Sequence, residues 1–128
     1  MPLAEERPEG LYAIRWVGDG CIRIDDTEFR SSLLVMPDRV WQDFPARVPG
    51  DLGAELISEM LALQPQVVIL GTGARQVFPP PSVFAGFLTR GIGLEVMDNA
   101  AAARTYNLLA LEGRRVAALL LLDPPKPG

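Results

Sequence analysis

The chain has 128 residues and a formal net charge of −4, with 48% hydrophobic and 22% charged residues. This length and balance are typical of one globular domain with its own core, spanning residues 1–128 with disordered tails at 1–10 and 123–128. A nucleic-acid binder needs many cations to neutralise phosphates, so the excess of acid argues against nucleic acid as a partner.

Rare and missing residue types exclude several kinds of site. Histidine is absent and Cys21 is the only cysteine, so the chain offers no Cys/His set for zinc and no internal disulfide. We therefore predict no metal and no cofactor, and we interpret Cys21 as a small core residue. Residues 1–10 lack the apolar core of a signal peptide, and the longest apolar run, 116–122, is far shorter than the roughly 20 residues that span a bilayer. The sequence thus predicts a cytoplasmic protein without a transmembrane segment.

The first third of the chain has the pattern of a β-meander. Residues 11–17 alternate, which predicts a strand with Tyr12, Ile14 and Trp16 on one face. A glycine-rich turn at 18–20 leads to a return strand at 21–24, and a second turn at 25–27 precedes a third strand at 29–36. Residues 38–50, which contain Trp41 and Phe44, are predicted to be irregular.

The rest of the chain alternates between helical and strand patterns. Asp51 is predicted to cap a helix that runs to about residue 63, and the apolar run at 67–70 is typical of a strand buried on both faces. A helix from about Ser82 to Gly91, a strand at 92–97, a helix from Asp98 or Asn99 to about 111 and a strand at 115–122 follow. This order predicts an α/β protein whose mixed sheet has helices packed on it.

A glycine-containing loop follows the central strand, where open α/β sheets usually bind ligands. Gly71 and Gly73 can take positive φ and leave bare backbone N–H groups around Thr72. A dinucleotide fingerprint is disfavoured because its third glycine would fall on Gln76. A smaller anion fits better, since the loop N–H groups, the Thr72 hydroxyl and Arg75 would together hold a carboxylate or phosphate. The alternative is a loop that serves folding alone.

Two further groups of polar residues have both a functional and a structural interpretation. Asp98 stands between a strand and a helix, where it would act either as a catalytic acid or as a helix cap. Thr105, Tyr106 and Asn107 lie mid-helix, and Tyr106 is interpreted as a core residue or as a polar contact near the glycine loop. The commonest catalytic acid–base residue, histidine, is missing.

Two loops contain rigid apolar residues. Phe78 and Pro79 belong to the proline-rich segment 77–81, and Trp41 and Phe44 lie in the earlier irregular segment. Rigid aromatic and proline surface can anchor a protein partner. Alternatively, both loops cover the ends of the sheet.

The segments VVILGTGARQVFPP and RGIGLEVMDNAAAARTYNLLALEGRRVAALL, preceded by GCIRIDDTEFRSSLLVMPDRVWQDFP, give the chain a family resemblance over nearly its whole length. It resembles a domain-of-unknown-function family that includes the mitochondrial complex I alpha-subcomplex assembly factor and an animal adipogenesis-associated Mth-type domain protein. The resemblance implies a three-layer α/β fold with a central mixed sheet and an added N-terminal antiparallel β-meander. It implies no catalytic residue. The positions that match the family motif are Gly71, Thr72, Gly73, Phe78, Pro79, Asp98, Thr105, Tyr106 and Asn107.

Together these observations favour a non-enzymatic protein-binding or assembly module. The resemblance implies a respiratory complex subunit or assembly factor as its partner. The alternative is a small-molecule or anion-binding domain, or an unrecognised enzyme, that uses the loop from Gly71 to Arg75 together with Asp98.

Overall fold

A computed structural model describes residues 5–6 and 10–123; the remaining positions of the two predicted tails lie outside the described residues. The strands are β1 (Glu5–Glu6), β2 (Ile14–Gly18), β3 (Cys21–Ile24), β4 (Thr27–Phe29), β5 (Leu33–Met36), β6 (Arg39–Trp41), β7 (Val67–Gly71), β8 (Leu94–Met97) and β9 (Val116–Leu120). The helices are α1 (Ala54–Leu61), α2 (Pro81–Leu88) and α3 (Asn99–Leu111), and a single 3-10 turn spans Pro49–Asp51.

The strands form two sheets. The larger sheet has the order β1-β6-β5-β9-β7-β8, and the smaller antiparallel sheet has the order β2-β3-β4. Strand β7 is parallel to both of its neighbours, β8 and β9, while β5 pairs antiparallel with β9. All five residues of β7 are buried, as its apolar run predicts.

Each face of the larger sheet packs against a different layer. Side chains of α1 and α2 join Val68, Leu70 and Leu119 in one core cluster. Side chains of α3 and of the smaller sheet join Ile69 and Leu120 in the other cluster. The predicted three-layer α/β fold, with a central mixed sheet and an added antiparallel meander, is therefore confirmed.

The predicted third strand, 29–36, is wrong as one element. Its first part belongs to β4 in the smaller sheet, and its last part is β5 in the larger sheet. The chain crosses between the sheets at Ser31 and Ser32. The buried Ser32 hydroxyl accepts a hydrogen bond from the Leu122 N–H at 2.9 Å, which satisfies polar groups at the crossing.

The prediction that Ile14 and Trp16 share a face is also wrong, because β2 contains a bulge. Ile14 pairs with Ile24 but Trp16 pairs with Arg23, so Arg15 is an extra residue between them. The bulge shifts the alternation by one position, leaving Ile14 buried and Trp16 52% exposed.

The segment predicted to be irregular contains β6 and a buried aromatic pair. Trp41 and Phe44 are both buried, with ring centroids 4.5 Å apart. Both rings belong to one core cluster, so they do not form an exposed partner surface. Strand β6 has a hydrophobic environment on both sides, because Trp41 packs in one core cluster and Val40 in the other. Local propensity does not reveal such an environment.

Asp51 does not cap α1. Its carboxylate accepts hydrogen bonds from the N–H groups of Arg47 and Val48, at 2.9 and 3.2 Å, and so stabilises the 3-10 turn. Helix α1 instead begins after Gly53 and ends at Leu61, two residues before its predicted end. Among the described residues no helix is long and apolar enough to cross a bilayer.

Candidate functional site

The glycine loop lies where β7 and β8 end and their following helices leave towards opposite faces of the sheet. Such a crevice is the usual ligand position in open α/β sheets. Here Thr72 connects the two strand ends, since its N–H donates to the Met97 carbonyl at 2.9 Å. The Thr72 hydroxyl donates to the Arg75 carbonyl at 2.6 Å and accepts from the Val77 N–H at 2.9 Å. The polar atoms of Thr72 therefore hold the loop in one shape.

A buried asparagine that sequence reasoning considered only as a helix cap organises the same corner. The Gly73 N–H donates to Asn99 Oδ1 at 3.1 Å, and the Asn99 N–H donates to the Gly73 carbonyl at 2.8 Å. Asn99 Nδ2 donates to the Leu121 carbonyl at 3.0 Å. One side chain thus joins the glycine loop, the start of α3 and the end of β9. One sequence signal could have indicated this role: Asn99 directly follows the capping Asp98, so it is not needed as the cap.

Gly71 and Gly73 are required for different reasons. A Cβ on Gly71 would collide with Asn99 Oδ1 and lie 2.8 Å from Leu120 Cδ2, so α3 packs on β7 only because that side chain is missing. Gly73 has open space around it but a φ of +99°, which strains any residue with a side chain.

Asp98 occupies the N-cap of α3. Its Oδ1 accepts a hydrogen bond from the Ala101 N–H at 2.8 Å, which is the capping geometry. A cavity of about 340 Å³ adjoins Gly73, Asp98 and the tip of the β2–β3 hairpin. Of the residues that the structure describes, Asp19, Asp98 and Asp123 are among those that line it, and no arginine or lysine is. This charge does not suit an anion.

The Thr105–Asn107 segment fastens α3 to neighbouring strands. The buried Tyr106 donates its hydroxyl hydrogen to the Tyr12 carbonyl at 2.8 Å. Asn107 donates from Nδ2 to the Ile14 carbonyl at 2.8 Å, and its Oδ1 accepts from the Ile14 N–H at 2.9 Å. Thr105 reaches Met97 Sδ at 3.5 Å. The structure thus brings Thr105 towards the end of β8, while Tyr106 and Asn107 contact the β2 side and not the glycine loop.

The outer side of the loop is exposed and partly apolar. Phe78 is 68% exposed and Val77 is 46% exposed, whereas Pro79 between them and α2 is buried. Arg75 is exposed, and its guanidinium makes no hydrogen bond or ion pair to any residue that the structure describes. Gln76 Nε2 donates to the Val96 carbonyl at 2.8 Å and so ties the loop to β8.

Cys21 has the environment of an unreactive thiol. Its side chain is buried in β3, and its Sγ lies 3.5 Å from Glu28 Oε1. Burial raises the pKa of the thiol, and the hydrogen bond and negative charge of Glu28 raise it further. Within the described part of the chain, no three histidine, cysteine or carboxylate residues are grouped so that they could hold a metal ion.

The fold and this corner define a class: a three-layer α/β domain in which a glycine loop is fastened across the ends of two parallel strands. Solved structures share the fold over nearly the whole chain. A Xanthomonas campestris protein is 42% identical with a TM-score of 0.82 over all of both chains. A Bordetella pertussis protein described as a Mth938-like domain is 31% identical with a TM-score of 0.75, over 96% of this chain and 93% of its own. The chain belongs to the family of proteins of unknown function DUF498/DUF598, whose model matches residues 14–121.

Curated relatives carry names of different kinds. The NADH dehydrogenase [ubiquinone] 1 alpha subcomplex assembly factor 3 of mouse is 36% identical over 98% of this chain and 66% of its own length. The zebrafish protein of that name is 40% identical over 59% of this chain and 44% of its own. A 13 kDa major membrane protein of Francisella tularensis is 32% identical over 48% of this chain and 50% of its own. The chain spans about half the length of the zebrafish and Francisella relatives.

Proposed function

We propose that this protein is a cytoplasmic, non-enzymatic binding module that helps assemble a protein complex. The observation that carries the proposal is the exposed apolar pair Val77 and Phe78 on a loop held in one shape by Thr72 and Gln76. A rigid aromatic side chain loses little conformational entropy on binding, and such residues are typical interface anchors.

The polar candidate residues support this assignment, because their side chains already form hydrogen bonds within the protein. Asp98, Tyr106 and Asn107 use side-chain oxygen or nitrogen atoms in hydrogen bonds within the protein. The exposed residues of the loop include Arg75, Val77 and Phe78. They offer one cation beside apolar surface, which is suited to a protein partner.

The names of the mouse and zebrafish relatives point to the kind of partner. We propose a respiratory complex subunit or another assembly factor as the protein that binds the loop. The alternative, a small anion held by the loop, is disfavoured by the three aspartates in the lining of the neighbouring cavity.

The test compares two exposed apolar positions. Phe78→Ser removes the proposed anchor, whereas the matched control Leu111→Ser changes a side chain on α3 that is 79% exposed. Each tagged full-length variant is expressed in the native cell, cross-linked and captured, and its partners are quantified by mass spectrometry. We expect Phe78→Ser to lower the recovered amount of the specific partner at least about tenfold. Leu111→Ser should recover as much of it as wild type does. Equal partner recovery from both variants would overturn the proposal.

A further inference from the structure

Strand β8 forms an edge of the larger sheet whose outer side has unused hydrogen-bonding groups. The Val68 N–H bonds to the Gly93 carbonyl, and the Thr72 N–H bonds to the Met97 carbonyl. Alternate residues of β8 therefore direct their backbone N–H and carbonyl groups towards β7. Leu94 and Val96 therefore point their N–H and carbonyl groups outward. Among the described residues only the Val96 carbonyl has a partner, the Gln76 amide.

Apolar side chains of α2 lie beside this edge, on one face of the sheet. On α2, Gly86 faces α1, since a Cβ there would meet Ile57, while Val83 and Phe87 point into the core. Helical geometry then places Phe84 and Leu88 on the side of α2 away from α1, and α2 itself packs on β8.

The apolar residues beside the edge are accessible to solvent. Leu88 is 64% exposed, and Phe84, Leu94 and Val96 are partly exposed. Because Gln76 bonds to Val96, the loop that carries the exposed Phe78 adjoins this edge. The edge thus combines open backbone groups with a flanking apolar surface, which are the two requirements of strand addition.

The opposite face of the edge carries a charge that discriminates between occupants. Glu95 is exposed and makes no ion pair with any described residue. A two-fold dimer that paired Leu94 of one copy with Val96 of the other would place the two Glu95 side chains directly opposite each other, which is destabilising. A strand with a lysine or arginine at that position would instead form a favourable cross-strand pair.

We propose that the open edge of β8 binds an extended segment of a protein partner as an added strand, with a basic side chain of that segment beside Glu95. This rests on the proposed protein-binding function and specifies its mode. The Leu94 N–H and carbonyl and the Val96 N–H supply the backbone contacts. Phe78, Phe84 and Leu88 cover the apolar side chains of the added strand.

The experiment uses a library of random linear peptides displayed on phage, selected against the full-length protein. We expect the selected peptides to contain β-branched or aromatic residues at alternate positions and a lysine or arginine between them. Val96→Pro removes an outward N–H, at an edge position that proline tolerates, and should weaken the selected peptides about tenfold or more. The matched control Val96→Ala keeps the N–H and should bind the peptides within about threefold of wild type.

Two further readouts keep the test independent of how well the proline variant folds. In wild-type protein the selected peptide should slow amide hydrogen exchange at Leu94 and Val96. Glu95→Lys should weaken the basic peptides roughly two- to five-fold, as expected for loss of one cross-strand ion pair.

Failure of this inference can be told from failure of the proposed function. Peptides that bind Val96→Pro as well as Val96→Ala, peptides that leave the Leu94 and Val96 amides unprotected, or a selection that yields no binder would each overturn strand addition. So would self-association in sedimentation that Val96→Pro abolishes, because the edge would then bind a second copy. If native partners still require Phe78 in any of these cases, the binding function stands and only its mode is wrong.

Discussion

At the scale of single residues, the corner around the glycine loop depends on side chains that are small or absent. Gly71 leaves room for Asn99, and Asn99 in turn bonds Gly73 and Leu121. Inside the loop, the Thr72 hydroxyl bonds to both the Arg75 carbonyl and the Val77 N–H. Residues that resemble a ligand site in the sequence therefore make contacts that shape the loop.

Substitutions at Gly73 and Arg75 separate these two roles. Gly73→Val places a β-branched residue at φ of +99° and should lower the free energy of unfolding by more than about 1 kcal/mol. Arg75→Ala alters an exposed side chain and should change that energy by less than about 0.5 kcal/mol while weakening partner binding. Urea unfolding and the quantitative capture experiment measure the two effects. Unchanged binding by Arg75→Ala would show that Arg75 has no part in the surface.

Cys21 should be dispensable for function. Cys21→Ser leaves a small polar group near Glu28 and should cost roughly 1–2 kcal/mol of stability, because the side chain is buried. Partner capture should equal that of wild type. A lost partner in a variant that is still folded, or a stoichiometric transition metal in purified wild-type protein, would contradict this prediction.

At the scale of elements, polar side chains join segments that are distant in sequence. Asn107 on α3 serves both backbone groups of Ile14 in β2, which fastens the smaller sheet to the helix. On the other side of the molecule, Arg115 donates to the Leu63 carbonyl at 2.9 Å and lies 3.3 Å from the Asp38 carboxylate. That arrangement links the start of β9, the end of α1 and the β5–β6 turn.

The Asp38 carboxylate should make stability depend on pH. Burial by itself raises the pKa of this group, but hydrogen bonds and charges from Arg39 and Arg115 outweigh burial and hold the pKa below its ordinary value. A carboxyl with a lower pKa in the folded state stabilises the protein above the unfolded-state value near about 4, and this contribution is lost as the pH falls through the folded pKa.

We therefore expect Asp38→Asn to be less stable than wild type at neutral pH by roughly 1 kcal/mol, since the pair is partly exposed. At about pH 2 to 3 the difference should shrink, because the wild-type carboxyl becomes protonated. Urea unfolding from pH 7 down to pH 2 measures it, with Asp26→Asn in an exposed turn as the control. A difference that stays constant over this range would exclude the ion pairs as its cause.

At the scale of the whole molecule, the two halves of the chain complete one sheet. Strand β5 from the first half inserts between β6 and β9, and β9 comes from the last part of the chain. Separating the halves would remove the antiparallel neighbour of β9 and would take from the smaller sheet the α3 surface that packs against it. Residues 1–128 are therefore expected to unfold as one cooperative unit.

Division of the chain near Gly50 tests this directly. We expect neither fragment to fold alone, because each would expose a strand edge and its part of both core clusters. Two-dimensional NMR of the separate fragments, and of the two mixed together, provides the measurement. A dispersed spectrum from the isolated fragment 51–128 would show that the second half is an independent unit.

The sequence by itself determined those elements whose signals are local. The apolar run of β7, the Asp98 cap of α3 and the glycine that follows this helix act within a few residues, so the predicted and observed bounds nearly coincide. The α/β class follows from the order of these elements. The glycine loop was likewise located correctly at the end of the central strand.

Tertiary structure alone decided which residues face the solvent and which hold the corner together. The bulge at Arg15 turns Trp16 outward because β2 pairs with β3, and the break at Ser31 and Ser32 exists because the chain crosses between two sheets. Asn99 acquires its role only when Gly73 and Leu121, 26 and 22 residues away, come within hydrogen-bonding distance. These features depend on contacts between segments far apart in the chain, which hydrophobic periodicity and local propensity do not encode.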